Sequence, residues 1–489
     1  MKLLPPRSSG NGGHGVERDS AQRASAARFA SHLNASDALL WTIERDPCLR
    51  STIVAVSLLD RRPDWQRLRT RIADATEVIP LLRRKVVAAP LRLGPPRWER
   101  DAYFDLDYHL RRTTAPEPAD LRSVLDIAGL VAMDAFDKDR PLWEFTLVEG
   151  LAGGRAALVQ KVHHSVTDGV GGMQLARLVL DDKRNPRHTR LDGKPPEADH
   201  AGGLASIADW VAENVHTASS LSMRGAHAFP EIATRTIMNP VEQFASLARG
   251  VRSVGKLLAP VTEPLSPVMT GRGMSRWLDA FDVPLESMLA AAHAVNGSLN
   301  DSFLAAIAGG MRRYHECHGA PVDALRVTMP INMRRADDPT GSNRFTPARF
   351  AIPVSTVDPA ERMRELGELA RSWRHEPSLP LTDVIAGGLN LLPPQATAIV
   401  FGSMLKAIDF VATNVPGLRR PAFLAGAQIT HEYAFAPPSG SAFSVALMSH
   451  VDRCCIGVNA DTAAVPDPDV MAAALREGFD EVIAVGGIS

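Results

Sequence analysis

Between Asp139 and His164 the chain has little choice but to form a β-hairpin. Pro141 opposes a helix running through it, and Leu142-Trp143-Glu144-Phe145-Thr146-Leu147 has the aromatic and branched composition of a strand. Gly150-Leu151-Ala152-Gly153-Gly154 turns the chain back, and residues 156–164 read as the returning strand. Two strands joined so closely pair antiparallel, so the hairpin delivers two adjacent histidines at its far end. Alternation along a strand sends His163 and His164 to opposite faces, and only one of them can meet a given reacting atom. His164 shares its face with Val162, Gln160 and Leu158, and His163 shares the other with Lys161 and Val159. The polarity of the two faces does not choose between them.

Ser165-Val166-Thr167-Asp168-Gly169 follows, with Gly171-Gly172 leading into a helix expected over 173–180. Asp168 can cap that helix or pair with a cation, and the same position can hold the loop beside His164. Imidazole titrates near neutral pH and suits general acid/base chemistry, although a histidine pair serves equally well as a structural feature or a metal ligand. Metal is disfavoured because no second histidine or carboxylate stands at helical ligand spacing. The four cysteines, Cys48, Cys317, Cys454 and Cys455, form neither a CxxC pair nor a disulfide framework, so a reducing, cytoplasmic setting is the simplest reading. A net charge of -1 gives no electrostatic reason to expect a nucleic acid partner.

Elsewhere the periodicity predicts a helix capped by Ser36 or Asn34 with Leu39, Leu40 and Ile43 on one face. Further helices are expected over 65–75, 121–132, 285–294 and 301–314, and one opened by Asp358-Pro359-Ala360-Glu361. Strands are expected over 53–59, 442–449 and 455–458. Residues 1–30 read as a flexible tail without the continuous apolar core of a signal peptide. The charge-free run from Val384 to Leu405 is long enough to span a bilayer, but Asn390, Pro393-Pro394 and Gln395 interrupt it. A buried helix pair broken at the prolines is expected there, and no transmembrane helix.

The order His-His-x-x-x-Asp-Gly at a strand end resembles the signature of the chloramphenicol-acetyltransferase-like acyltransferases. Pro141-Leu142-Trp143 and Asn300-Asp301 are similar to motifs of one branch, the wax ester synthase/diacylglycerol acyltransferase family. The likeness continues through 327–334, Gly341-Ser342-Asn343-Arg344-Phe345 and Thr413-Asn414-Val415-Pro416-Gly417. It departs at Ser342, which separates a Gly and an Asn that often adjoin, and at Leu418, where another proline is usual. The resemblance implies an α/β fold of the α+β type: two chloramphenicol-acetyltransferase-like subdomains, with mixed sheets flanked by helices. They would occupy 31–182 and 273–489, joined by a long helical crossover over 183–272.

The chemistry implied is transfer of a long-chain acyl group from acyl-CoA to diacylglycerol or a long-chain alcohol. Coenzyme A thioester is then a substrate, and no cofactor or metal is called for. By the resemblance His164 is the general base, His163 and Asp168 support it, and Gly169, Pro141, Leu142, Trp143, Asn300 and Asp301 hold the motif segments. Asn414 and Gly417 are candidates for substrate binding, and Asn300 and Asn414 for oxyanion donation. Each also has an ordinary role: Trp143 as core filler, Asn300 or Asp301 as helix cap, Pro416-Gly417 as a turn. Apolar substrates imply peripheral contact with a membrane or lipid-droplet surface, with Arg83-Arg84-Lys85 or the 384–405 region as contacts. The competing readings are a condensation-type enzyme using a carrier-protein donor, a non-catalytic lipid-binding relative and, weakest, a metal-dependent hydrolase.

Overall fold

A computed structural model describes residues 32–88, 96–167, 172, 173, 176, 178–186, 263–332, 345–374 and 394–487. The tail, most of the crossover, Asp168, Gly169, Gly341 to Arg344 and the first part of the 384–405 run lie outside the described residues.

The chain enters through β1 (Thr52–Leu59), β2 (Arg84–Val87), β3 (Arg97–Arg100), β4 (Leu110–Thr114), β5 (Trp143–Leu151) and β6 (Arg155–His163). It continues through β7 (Arg276–Pro284), β8 (Ala324–Asn332), β9 (Phe345–Pro353) and β10 (Phe410–Val415). The last strands are β11 (Phe423–Leu424), β12 (Ala427–Phe435), β13 (Phe443–His450) and β14 (Arg453–Asp461). One six-stranded sheet has the order β11-β12-β1-β6-β5-β4 and another the order β7-β14-β13-β10-β8-β9, while β2 and β3 pair alone. Both large sheets are mixed, with β4 parallel to β5 and β10 parallel to β8 and β13.

The expected hairpin is present as β5 and β6, paired antiparallel with Trp143 opposite Val162. One pairing crosses the expected halves. The hairpin β11-β12 belongs by sequence to the second half but pairs with β1 of the first sheet, Ser57 lying opposite Glu432. The sheets touch at Gly457 of β14, where a Cβ would fall 2.1 Å from the Ala434 carbonyl oxygen of β12. Only glycine permits that approach.

Helices α1 (Ala35–Ile43), α2 (Trp65–Val78) and α3 (Leu121–Met133) are capped by side-chain oxygens of Asn34, Asp64 and Asp120, each accepting a first-turn amide. The second sheet is covered by α4 (Leu285–Ala294), α5 (Leu299–Cys317), α6 (Pro359–Arg374) and α8 (Pro468–Val485), whose apolar faces merge into the largest core. Arg362 of α6 is fully buried in that layer, its Nε donating to the Ala305 carbonyl of α5 at 2.9 Å and its Nη2 paired with Glu481 of α8. Of the expected helix pair, α7 (Pro394–Lys406) is described, and Phe401 and Leu405 pack it on Leu39 and Ile43 of α1. No helix among the described residues is long and apolar enough to cross a membrane.

Candidate active site

The two histidines occupy opposite sides of the first sheet, as alternation demands. The His163 side chain is fully buried, and its Nε2 lies 2.8 Å from Oε1 of Glu44 at the end of α1. Its Nδ1 accepts from the Ser165 amide at 3.1 Å, with the Ser165 hydroxyl at 2.7 Å. That network places the ring proton on Nε2, donated to Glu44. Trp41 and Phe136 present ring edges to the imidazole at 5.6 and 6.0 Å. Glu44 Oε1 also accepts the Ser51 amide at 2.7 Å, and the Ser51 carbonyl accepts the His164 amide at 2.9 Å. One buried carboxylate thus fixes the ring of one histidine and, through Ser51, the backbone of the other.

Burial pushes the Glu44 carboxyl up, but the field and hydrogen bond of the His163 ring, the Ser51 amide and Lys138 outweigh it and hold it below its ordinary 4.5. A depressed carboxyl contributes stability that is fully present above its unfolded value and lost as pH falls through its folded value. Glu44→Gln is therefore expected to be less stable than wild type by a margin that is full above pH 4.5 and shrinks in acid. Denaturant unfolding between about pH 7 and pH 3 measures it, and a margin constant across that range contradicts the assignment.

The other face of β6 opens into a cavity of about 200 Å³. Leu158, Gln160, Val162 and His164 all line it, so the strand turns one complete face to the cavity and His164 stands in its wall. The remaining walls come from Ile72 and Ala75 of α2, Met173, and Thr413 and Val415 of β10, so both sheets contribute. Nearly all of this lining is apolar; the exceptions include Gln160, Ser57 and Glu432, and Gln160 Nε2 donates to Ser57 Oγ at 3.0 Å. Burial raises the Glu432 carboxyl to about 7, a hydrogen bond from Ser57 offsetting it only in part.

The other described sequence candidates are not among the residues lining this cavity. Leu142 and Trp143 are fully buried; the Leu142 carbonyl accepts the His163 amide at 3.0 Å, and Trp143 Nε1 donates to the Leu82 carbonyl at 2.9 Å. The Pro141-Leu142-Trp143 segment therefore braces the end of β6 and is not part of the described cavity lining. Asp301 closes a capping box on α5, its Oδ2 accepting the Ser298 amide at 2.8 Å. Asn300 directs its amide to Met329 Sδ at 3.8 Å. Asn414 lies between Thr413 and Val415, and alternation turns it from the face those two give to the cavity. Gly417 lets the chain pass Ser449, whose carbonyl oxygen would meet a Cβ at 2.1 Å. Arg83 of the basic cluster is half-buried, paired with Glu77 and stacked over Phe104. Glu44, Ser51 and Glu432 carried no sequence signal, since each acquires its place only through tertiary pairing. Among the described residues no group of three or more His, Cys, Asp or Glu is arranged to hold a metal.

Two family models match the chain: the wax ester synthase/diacylglycerol acyltransferase catalytic domain over residues 33–303 and the WS/DGAT C-terminal domain over 341–482. A protein of Mycobacterium tuberculosis provisionally named a diacylglycerol O-acyltransferase is 36% identical over 473 residues, covering 96% of this chain and 94% of its own length. A second from that organism, with the same provisional name, is 26% identical over 467 residues, 92% of this chain and 97% of its own. Among solved structures, the wax ester synthase/diacylglycerol acyltransferase from Marinobacter aquaeolei VT8 aligns with a TM-score of 0.63 at 21% identity, over 94% of this chain and 100% of that one. The first condensation domain of the calcium-dependent antibiotic synthetase, in complex with a substrate analogue, aligns with a TM-score of 0.58 at 16% identity, over 94% and 97%. At these identities the structural matches speak for the fold.

Proposed function

The chain belongs to the wax ester synthase/diacylglycerol acyltransferase family, built as two chloramphenicol-acetyltransferase-like subdomains, and from that premise we propose that it is an acyl-CoA-dependent O-acyltransferase. Its acceptors are diacylglycerol, long-chain alcohols or both. The observation that carries this reading is His164, held in the wall of a largely apolar cavity to which both sheets contribute.

A neutral hydroxyl is a weak nucleophile, and an imidazole of near-neutral pKa can take its proton as attack begins. In the proposed reaction the acceptor oxygen bonds to the thioester carbonyl carbon while His164 accepts the hydroxyl proton. Collapse of the tetrahedral intermediate breaks the carbon–sulfur bond, and His164 returns the proton to the departing coenzyme A thiolate. The thioester is already activated, so neither a covalent acyl-enzyme nor a further cofactor is required. His163 acts by position, tied to Glu44 on the far side of the strand. By the family signature Asp168 and Gly169 are assigned as support for His164. Substrates this apolar are met at a membrane or lipid-droplet surface.

The test is incubation of the purified chain with palmitoyl-coenzyme A and either diacylglycerol or hexadecanol, reading thiol release and neutral-lipid product together. Acceptor-dependent release of thiol with matching ester is the expected result. Absence of release with every acceptor overturns the proposal, and release from an acyl carrier protein alone moves it to the condensation-type reaction.

A further inference from the structure

Glu432 is out of place in the cavity. It is 4% exposed, and its Oε2 has no hydrogen-bond partner among the described residues. Ser57, opposite it across β1 and β12, hydrogen-bonds the carboxyl, and Gln160 donates in turn to Ser57. The cluster is internally connected and, among the described residues, leaves one buried carboxyl oxygen of this cavity-lining residue unanswered. A buried acceptor left unmet is destabilising and rare in folded proteins, so it calls for a donor that the described residues do not supply.

The backbone is shaped to put it there. The register shifts between Leu58 and Leu59, whose partners on β12 are His431 and Ile429, so Thr430 is an extra residue. Without that bulge, alternation from Ile429 would turn Glu432 away from the cavity; with it, Ile429, Glu432 and Ala434 all line the same side. The position is also far from the reacting centre. Ser57 pairs with Leu158 of β6, and His164 lies six residues further along, roughly 20 Å at ~3.3 Å per residue. A group recognised at that depth sits well down an alkyl chain whose reacting end is at His164.

We propose that Glu432, with Ser57 and Gln160, forms a polar subsite that recognises a hydroxyl carried far along a substrate's alkyl chain, making hydroxylated long-chain lipids favoured substrates. The inference rests on the acyltransferase reading and names the substrate class for that same cavity. A carboxyl can accept from such a hydroxyl when ionised and donate to it when protonated. Among the described cavity-lining residues the other titratable side chain is His164. The hydroxylated chain can arrive as the acyl donor or as the acceptor, and separate arms of the test distinguish the two.

Affinities of stearic acid and a positional series of hydroxystearic acids, read by displacement of a fluorescent fatty acid, test the subsite without turnover. Wild type is expected to favour one hydroxyl position over the plain chain by about fivefold to a hundredfold, the range of one buried hydrogen bond made or left unmade. Glu432→Leu is expected to lose that preference and bind the plain chain more tightly, while Glu432→Gln, still able to accept and donate, keeps much of it. The acyl-coenzyme A esters of the same series with hexadecanol form the donor arm; hexadecanediol against hexadecanol, with palmitoyl-coenzyme A, forms the acceptor arm. A wild-type chain indifferent to hydroxyl position in binding overturns the proposal, whatever the folding of the variants, as does an unchanged preference in a folded Glu432→Leu. If no substrate releases thiol, the acyltransferase reading fails while the binding series still decides the subsite.

Discussion

Replacing His164 by alanine is expected to lower kcat by about 10²–10⁴-fold, equivalent to roughly 3–5 kcal/mol of barrier, with the thermal unfolding profile near that of wild type. The side chain is half-buried in a cavity wall, so removing it enlarges an existing space and opens no new hole in the core. His163, by contrast, is fully enclosed and hydrogen-bonded at both ring nitrogens. Thiol release under saturating palmitoyl-coenzyme A measures the effect. A variant that turns over at the wild-type rate removes His164 from the role of base.

Glu481→Ala is expected to cost about 3–5 kcal/mol of stability, the usual penalty for leaving a buried charge without its partner. The charge is Arg362, whose side chain is fully buried where α5, α6 and α8 meet. Its Nη1 donates to the Thr356 carbonyl at 2.8 Å and its Nη2 to Glu481, which also holds Arg313. Burial pushes the Glu481 carboxyl up, and the two guanidinium groups outweigh that and keep it below its ordinary value. Gly309 leaves room for the pair, since a Cβ there would lie 2.1 Å from Glu481 Oε1. Truncation at Glu481 removes the counter-charge and leaves the cation enclosed. The midpoint and slope of denaturant unfolding measure the loss, and a change under about 1 kcal/mol contradicts a buried, uncompensated charge.

What was legible in the sequence was local. The glycine turn and the strand-forming residues around it defined β5 and β6, and the 3.6-residue period placed α3, α4 and α5 within a few residues of their ends. Ser36 and Asn34 are both candidate caps of α1, since either side chain can accept an early amide; Asn34 does. Alternation separates His163 from His164 but does not say which faces the cavity. That depends on the packing of α2 and β10 against one side of the sheet, and no neighbour along the strand reports it. Glu44 bonds His163 across 119 residues of chain. Neither position carries a pattern that anticipates the other. Trp143 and Asp301 make their contacts as brace and cap, the ordinary roles open to an indole and to a carboxylate at a helix start.

The hairpin lent by the second half to the first sheet also orders events in biosynthesis. Until Gln428 is made, 368 residues after its partner Asp60, one edge of β1 has no strand to pair with. A nascent first half therefore presents an unsatisfied row of backbone donors and acceptors, the kind of edge that recruits foreign strands. The floor of the cavity closes only when β12 arrives, so the site is completed late, by the part of the chain that also carries Glu432.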